Sequence, residues 1–223
     1  MNVIAFDDGP FPREHRGDVL LVGAVCSGTR LDGVLSGKVR RDGANATDRM
    51  VELVRASAFA DHVRAVLLQG IAVGGFNVVD VHALSAALAV PVLVVMRRPP
   101  DLPAMQRALF SDVPRMRPRV RGAARKWRLI QRAGAIEPLV LRAASPRKGP
   151  GASPTPGARP SPALRSGLRA GGPRLWVQRV NLSIDEARAL VAATTLHGNL
   201  PEAVRIAHLI AGGIASGHSR GRA

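Results

Sequence analysis

Residues 63–96 read VRAVLLQGIAVGGFNVVDVHALSAALAVPVLVVM, and how this stretch folds decides the rest. Residues 63–68 are a short apolar run rich in branched side chains, which Gly70, Gly74 and Gly75 then interrupt. From Asn77 apolar residues recur at helical spacing (Val78, Val81, Leu84, Ala87, Leu88), and Pro91 opens a second apolar run over 92–96. Buried strand, helix and buried strand make the parallel βαβ unit, because parallel strands need a long crossover. Functional groups in open α/β sheets gather at the carboxyl ends of the strands. Residues 69–80 are therefore the first place to look for chemistry. The glycines let a backbone approach closely, and a helix N-terminus behind them would offer free N–H groups to a phosphate. Gly70, Gly74, Gly75 and Asn77 are the phosphate-binding candidates, against a tight strand-to-helix turn with Asn77 as N-cap.

Toward the N-terminus, residues 2–6 (NVIAF) form a strand that stops at Asp7-Asp8-Gly9-Pro10. Two carboxylates at a strand end suit a metal site, although Asp-Gly-Pro is also ordinary turn chemistry. Residues 18–27 and 31–40 read as two more strands joined at Gly28-Thr29-Arg30, an antiparallel meander. Asn45 or Thr47 caps a helix whose inner face carries Met50, Leu53 and Val54. Asp48 suits the positive end of that helix.

Toward the C-terminus, Asp101 precedes a short helix over 102–110, and 113–132 reads as a longer basic helix that Pro118 makes start late. Its predicted inner side is Trp127 and Ile130; Arg121, Arg125, Lys126 and Arg128 are the nucleic-acid-binding candidates. Residues 136–141 and 175–178 are strands. Between them, 143–173 is built of Pro, Gly, Ala, Ser and Arg, too little apolar surface to offset the entropy of ordering, so a disordered insertion is expected. Ser183-Ile184-Asp185-Glu186 is a capping box. A last helix opens at Asn199 and Pro201, with Val204, Ala207, Ile210 and Ile214 predicted inward and a frayed basic tail from Ser219. His208, between apolar neighbours, reads as a buried imidazole. The organisation is a core over 1–142, an insertion over 143–173, and a strand with two helices over 174–223 completing the same domain. This order predicts an α/β ribonuclease H-like mixed sheet, an antiparallel meander plus parallel βαβ strands, flanked by helices. A flavodoxin-like sheet is the alternative.

The formal charge is +16, and residues 113–182 hold 16 of the 32 basic residues against one acid, Glu137. Such a segment attracts polyanions, DNA or RNA first among them. Coding bias toward Arg explains the choice of cation but not the missing acids. The single cysteine, Cys26, lies in the apolar run LLVGAVC and reads as a core thiol. No run approaches the roughly 20 apolar residues of a membrane span, so a cytoplasmic protein without membrane contact is expected. No protein partner is indicated.

FDDGPF, RRDGANAT, LLQGIAVGGFNVVD, GAIEP and the closing TTLHGNLPEAVRIAHLIAGGIASGHSRGRA together resemble an uncharacterised, largely archaeal family described as endonuclease V-like. The resemblance covers the chain apart from 143–173. It implies a ribonuclease H-like fold and cleavage of nucleic acid by a divalent metal, Mg²⁺ or Mn²⁺. It also implies that Asp7, with Asp8 beside it, and Asp42 occupy the positions of metal-binding acids. The third catalytic position falls on Gln69 followed by Gly70, where endonuclease V carries Asp-Gly. A carboxamide is a neutral ligand and no general base, so Asp7, Asp42 and Gln69 form a weakened catalytic set. A non-catalytic nucleic-acid-binding module of the same fold is the competing reading.

Overall fold

The computed structural model describes residues 1–111, 120–141 and 174–219. Strand β1 (Asn2–Asp8) is the axis of a seven-stranded sheet with β2 (Asp18–Ser27), β3 (Arg30–Arg40), β4 (Ala65–Leu68), β7 (Val92–Met96), β8 (Glu137–Val140) and β9 (Arg174–Val180). The spatial order is β3-β2-β1-β4-β7-β9-β8. β1, β2 and β3 pair antiparallel, whereas β1, β4 and β7 pair parallel, so the predicted meander and βαβ unit are both present. This is the ribonuclease H-like arrangement. β9 inserts antiparallel between β7 and β8.

Strand alternation sorts the core into two layers. Ile4 and Phe6 of β1, Val66 and Leu68 of β4, and Val92 and Val94 of β7 face one side. There they meet Met50 of α1 (Ala46–Arg55), Leu84 of α2 (Val81–Leu88), Leu109 of α3 (Leu102–Phe110) and Ile130 of α4 (Ala123–Arg132). Val3, Ala5, Leu67, Leu93 and Val95 face the other side, with Leu190 of α5 (Ile184–Thr194) and Val204 of α6 (Glu202–Ser216). A slip of one residue would exchange the layers, so the register is strongly specified. Cys26 is buried and unpaired, its thiol pushed up to about 11 by burial.

Four expectations are corrected. Residues 69–80 are not a simple strand-to-helix turn: Ala72–Val73 (β5) and Asn77–Val78 (β6) pair as a hairpin around Gly74-Gly75. Helix α2 accordingly starts at Val81, with Asp80 rather than Asn77 as its N-cap, accepting from Ala83 N–H at 3.0 Å. On α6 the inner face is Ala203, Val204, Ala207, Ala211 and Gly212, whereas Ile214 is 64 % exposed. Small residues prevail there because α6 lies directly on β1 and β2. Finally, the basic helix begins at Ala123; most of the predicted 113–122 portion, like the 143–173 insertion, lies outside the described residues. The capping box at Ser183 is fully formed. Among the described residues no helix is long and apolar enough to cross a membrane.

Candidate active site

β1 ends on Asp7 and Asp8 because its apolar run ends at Phe6 and Gly9-Pro10 breaks the strand. Asp7 follows Val3 and Ala5 onto the α6 side. There its Oδ2 lies 2.9 Å from Nδ1 of His208, a residue 201 positions away. Its Oδ1 accepts the Asp8 N–H at 3.0 Å. The Asp7 side chain is 16 % exposed and the His208 side chain 54 %. His208 is thus no buried core imidazole: α6 turns it outward along the edge of the helix and onto the strand tip.

Both acids resist ionisation. Burial raises the Asp7 pKa, against the lowering effects of the His208 hydrogen bond, the Asp8 N–H and the His208 charge. Asp8 is pushed up to about 6, by burial first and then by the charge of Asp7, with Gly74 and its own backbone N–H opposing. Among the described residues neither acid has a Lys or Arg ion pair.

Asp42 is placed differently. It adopts a left-handed backbone (φ 50°), and its N–H donates to Gly74 C=O at 2.8 Å. Its Oδ1 accepts the Phe76 N–H at 2.8 Å, while Oδ2 lies 3.3 Å from Arg41 Nε. A Cβ on Gly75 would sit 2.5 Å from Asp42 Oδ1, and Gly75 has φ +82°, so glycine is required there twice over. The Asp42 carboxylate thus closes the hairpin, on the α4 side of the sheet, while Asp7 faces α6. The three acids expected to share one ion do not converge. Among the described residues no three His, Cys, Asp or Glu side chains are grouped to hold a metal.

Asn77 and Lys126 are also turned inward. Asn77 is fully buried. Its Nδ2 donates to Arg40 C=O at 2.9 Å and to Asn45 Oδ1 at 2.7 Å, and its Oδ1 accepts the Ala46 N–H at 3.0 Å. It caps α1 from across the fold and has no face left for a phosphate. Lys126 is 3 % exposed, and its Nζ donates to the main-chain carbonyl of Asp42. Burial lowers its pKa, with the Asp42 charge opposing. It lies on the inner stripe of α4 with Ala123 and Ile130, so it braces the hairpin instead of facing solvent. Arg121, Arg125 and Arg128 are exposed, and so is Gln69, one residue past the β4 ladder that pairs Phe6 with Leu68. Gly70 begins the wall of an apolar cavity of about 490 Å³ that also includes Met96, Met105, Trp127, Ile130 and Gln178.

A ribonuclease H-like sheet with half-buried acids at the tip of β1 defines a class of protein, and comparison places the chain within it. The family model for endonuclease dU matches residues 1–145 and 163–215; the chain belongs to this family. A UPF0215 protein of Deinococcus radiodurans is 45 % identical over 221 residues, spanning 99 % of this chain and 92 % of the relative. A UPF0215 protein of Methanothermobacter thermautotrophicus is 35 % identical over 227 residues, spanning 100 % and 92 %. Among solved structures, a protein of unknown function from Archaeoglobus fulgidus superposes with a TM-score of 0.72 at 28 % identity, covering 96 % of this chain and 98 % of that one. The catalytic domain of human endonuclease V gives 0.50 at 14 % identity, covering 94 % and 80 %, a likeness of fold. The resemblance to an endonuclease V-like, UPF-type family holds.

Proposed function

We propose that this protein is an endonuclease acting on DNA, with Asp7 and Asp8 holding one Mg²⁺ or Mn²⁺ ion. The observation that carries this reading is the acid pair at the tip of β1: both desolvated, Asp8 raised further by the charge of Asp7, and neither with a Lys or Arg partner among the described residues. A divalent cation relieves that repulsion. The residues fit one such ion, because Mg²⁺ commonly takes one or two carboxylates and completes its shell with water and phosphate oxygens. They do not fit two, because Asp42 is engaged at the hairpin and Gln69 is neutral.

When bound, the ion would polarise the phosphodiester and lower the pKa of a water. The chain's own residues supply the rest. Asp7 orients the His208 imidazole through Nδ1, which leaves Nε2 as the atom that can hold or release a proton toward a leaving oxygen. Gln69, exposed beside Asp7, offers a neutral amide to a phosphate oxygen, and Gly70 lets the backbone pass close by. Arg121, just before α4, and Arg125 and Arg128 on its outer face grip the DNA backbone.

The dU of the family name makes an oligonucleotide carrying 2′-deoxyuridine the first substrate to test, with Mg²⁺ and with Mn²⁺. Asp7→Ala should lower the cleavage rate at least 100-fold with the melting temperature unchanged or higher. Equal cleavage by wild type and variant would remove the site. The neutral Gln69 and the diverted Asp42 favour a second reading, a DNA-binding module without turnover. It predicts binding of the same oligonucleotide with no cleavage and no heat of Mg²⁺ binding by calorimetry.

A further inference from the structure

The loop between β1 and β2 forms a second basic site, beside Gly75 of the hairpin. Phe11, Arg13, Arg16, Arg41, Asp42, Gly75, Phe76 and Val120 enclose a cavity of about 300 Å³. Among the described residues three guanidinium groups line it against one carboxylate, and that carboxylate is already occupied by the Phe76 N–H and Arg41. Arg41 shapes the loop. Its Nη1 donates to the carbonyl of Arg13 at 2.7 Å and also to that of His15. Its Cζ lies 5.3 Å from the centre of the Phe11 ring, a cation–π contact. Its buried Nε makes no hydrogen bond among the described residues, although it is in ion-pair range of Asp42. With Arg41 so committed, Arg13 and Arg16 remain exposed at the rim and form no ion pair among the described residues. Phe76 is only half-buried beside them and offers a ring face to a base.

We propose that this cavity is a nucleotide-binding subsite, in which Arg13 and Arg16 hold successive phosphates of a single DNA strand and Phe76 stacks one of its bases. Guanidinium forks match phosphate oxygens in pairs, which a solvated surface lysine does not. Phe11, Arg13 and Arg16 lie on the loop that leaves the tip of β1, and Gly75 of the hairpin closes the cavity wall, so a strand seated here runs beside the end of β1. The inference rests on the DNA-directed reading above but not on turnover.

The test is binding of a fluorescent single-stranded oligonucleotide to the full chain in a chelator, by anisotropy across a salt series. Arg13→Ala/Arg16→Ala should weaken binding about tenfold at low salt. It should also flatten the log–log salt slope by about 1.4, since each phosphate contact on a single strand contributes roughly 0.7. Lys38→Ala/Arg64→Ala removes the same charge from exposed sites elsewhere and should change affinity less than threefold. Equal losses in the two double variants, or none in the first, would overturn the subsite. So would an acidic peptide that binds as tightly and loses as much. Loss of cleavage with the anisotropy result intact would sink the nuclease reading and leave the subsite standing. Binding that depends on Arg13 and Arg16 is expected whether or not the strand is cut.

Discussion

Two acids near one hairpin have opposite fates. At Asp42 every polar atom is spent on the fold: N–H to Gly74, C=O from Lys126, Oδ1 from Phe76, Oδ2 facing Arg41. At Asp8 the carboxyl is buried beside a second carboxyl and is pushed up to about 6. A carboxylate surrounded by donors stabilises its surroundings, whereas one desolvated beside a like charge is costly to ionise. The contrast separates two residues that a motif alone would place in one set.

The architectural side breaks hardest at Asn77. Asn77→Ala removes three hydrogen bonds and strands the buried N–H of Ala46, while the Arg40 carbonyl keeps the Gly43 N–H. One stranded buried group costs about 1–3 kcal/mol and each further lost hydrogen bond about 0.5–1.5 kcal/mol, so a loss on the order of 3 kcal/mol is expected. Urea denaturation would show it as a lowered midpoint at constant m. A loss under about 1 kcal/mol would mean that the clasp holds nothing.

The functional side should respond to metal instead. At a Mg²⁺ or Mn²⁺ concentration near 100 times its dissociation constant, mass action stabilises the fold by about 2.7 kcal/mol. The melting temperature should rise accordingly at pH 8, and Asp7→Ala should abolish the rise. Asp42→Ala should melt lower but keep the metal-dependent increment. An increment lost in both variants would place Asp42 in the cation's shell.

Much of this was readable in the chain. The strand NVIAF, the two acids that end it and the meander behind it follow from apolar runs and turn chemistry alone. His208 was not readable as a site residue, because its partner lies 201 positions away. The small residues Ala207 and Ala211 beside it mark close packing but not against which strand. Asn77 was misread for a related reason: an asparagine before a helical pattern is a good cap signal, but the helix it caps is α1, across the fold. Lys126 was counted with the arginines because charge suggests solvent. Its i+4 spacing to Ile130, on the inner stripe, was the available sign of the reverse.

The smallest expected effect is the most direct probe of the comparison. Asp8 has a pKa near 3.8 when unfolded and about 6 when folded. Between those values the folded state binds more protons than the unfolded one, so stability falls as pH rises through the window. Above about pH 7 the cost of the charged, buried form is fully present. A shift of about two units corresponds to roughly 3 kcal/mol, which the carboxyl's partial access to solvent reduces to about 1–2 kcal/mol. Asp8→Asn keeps the shape and discards the charge. It should therefore be more stable than wild type by that amount at pH 8, with the gain fading to nothing near pH 4 in parallel melts without divalent metal. Asp42→Asn should show no gain at pH 8, since it loses the Arg41 ion pair and relieves no burial strain. A pH-independent difference for Asp8→Asn would mean that its carboxyl is not charged against its surroundings, and the distinction between the two acids would collapse.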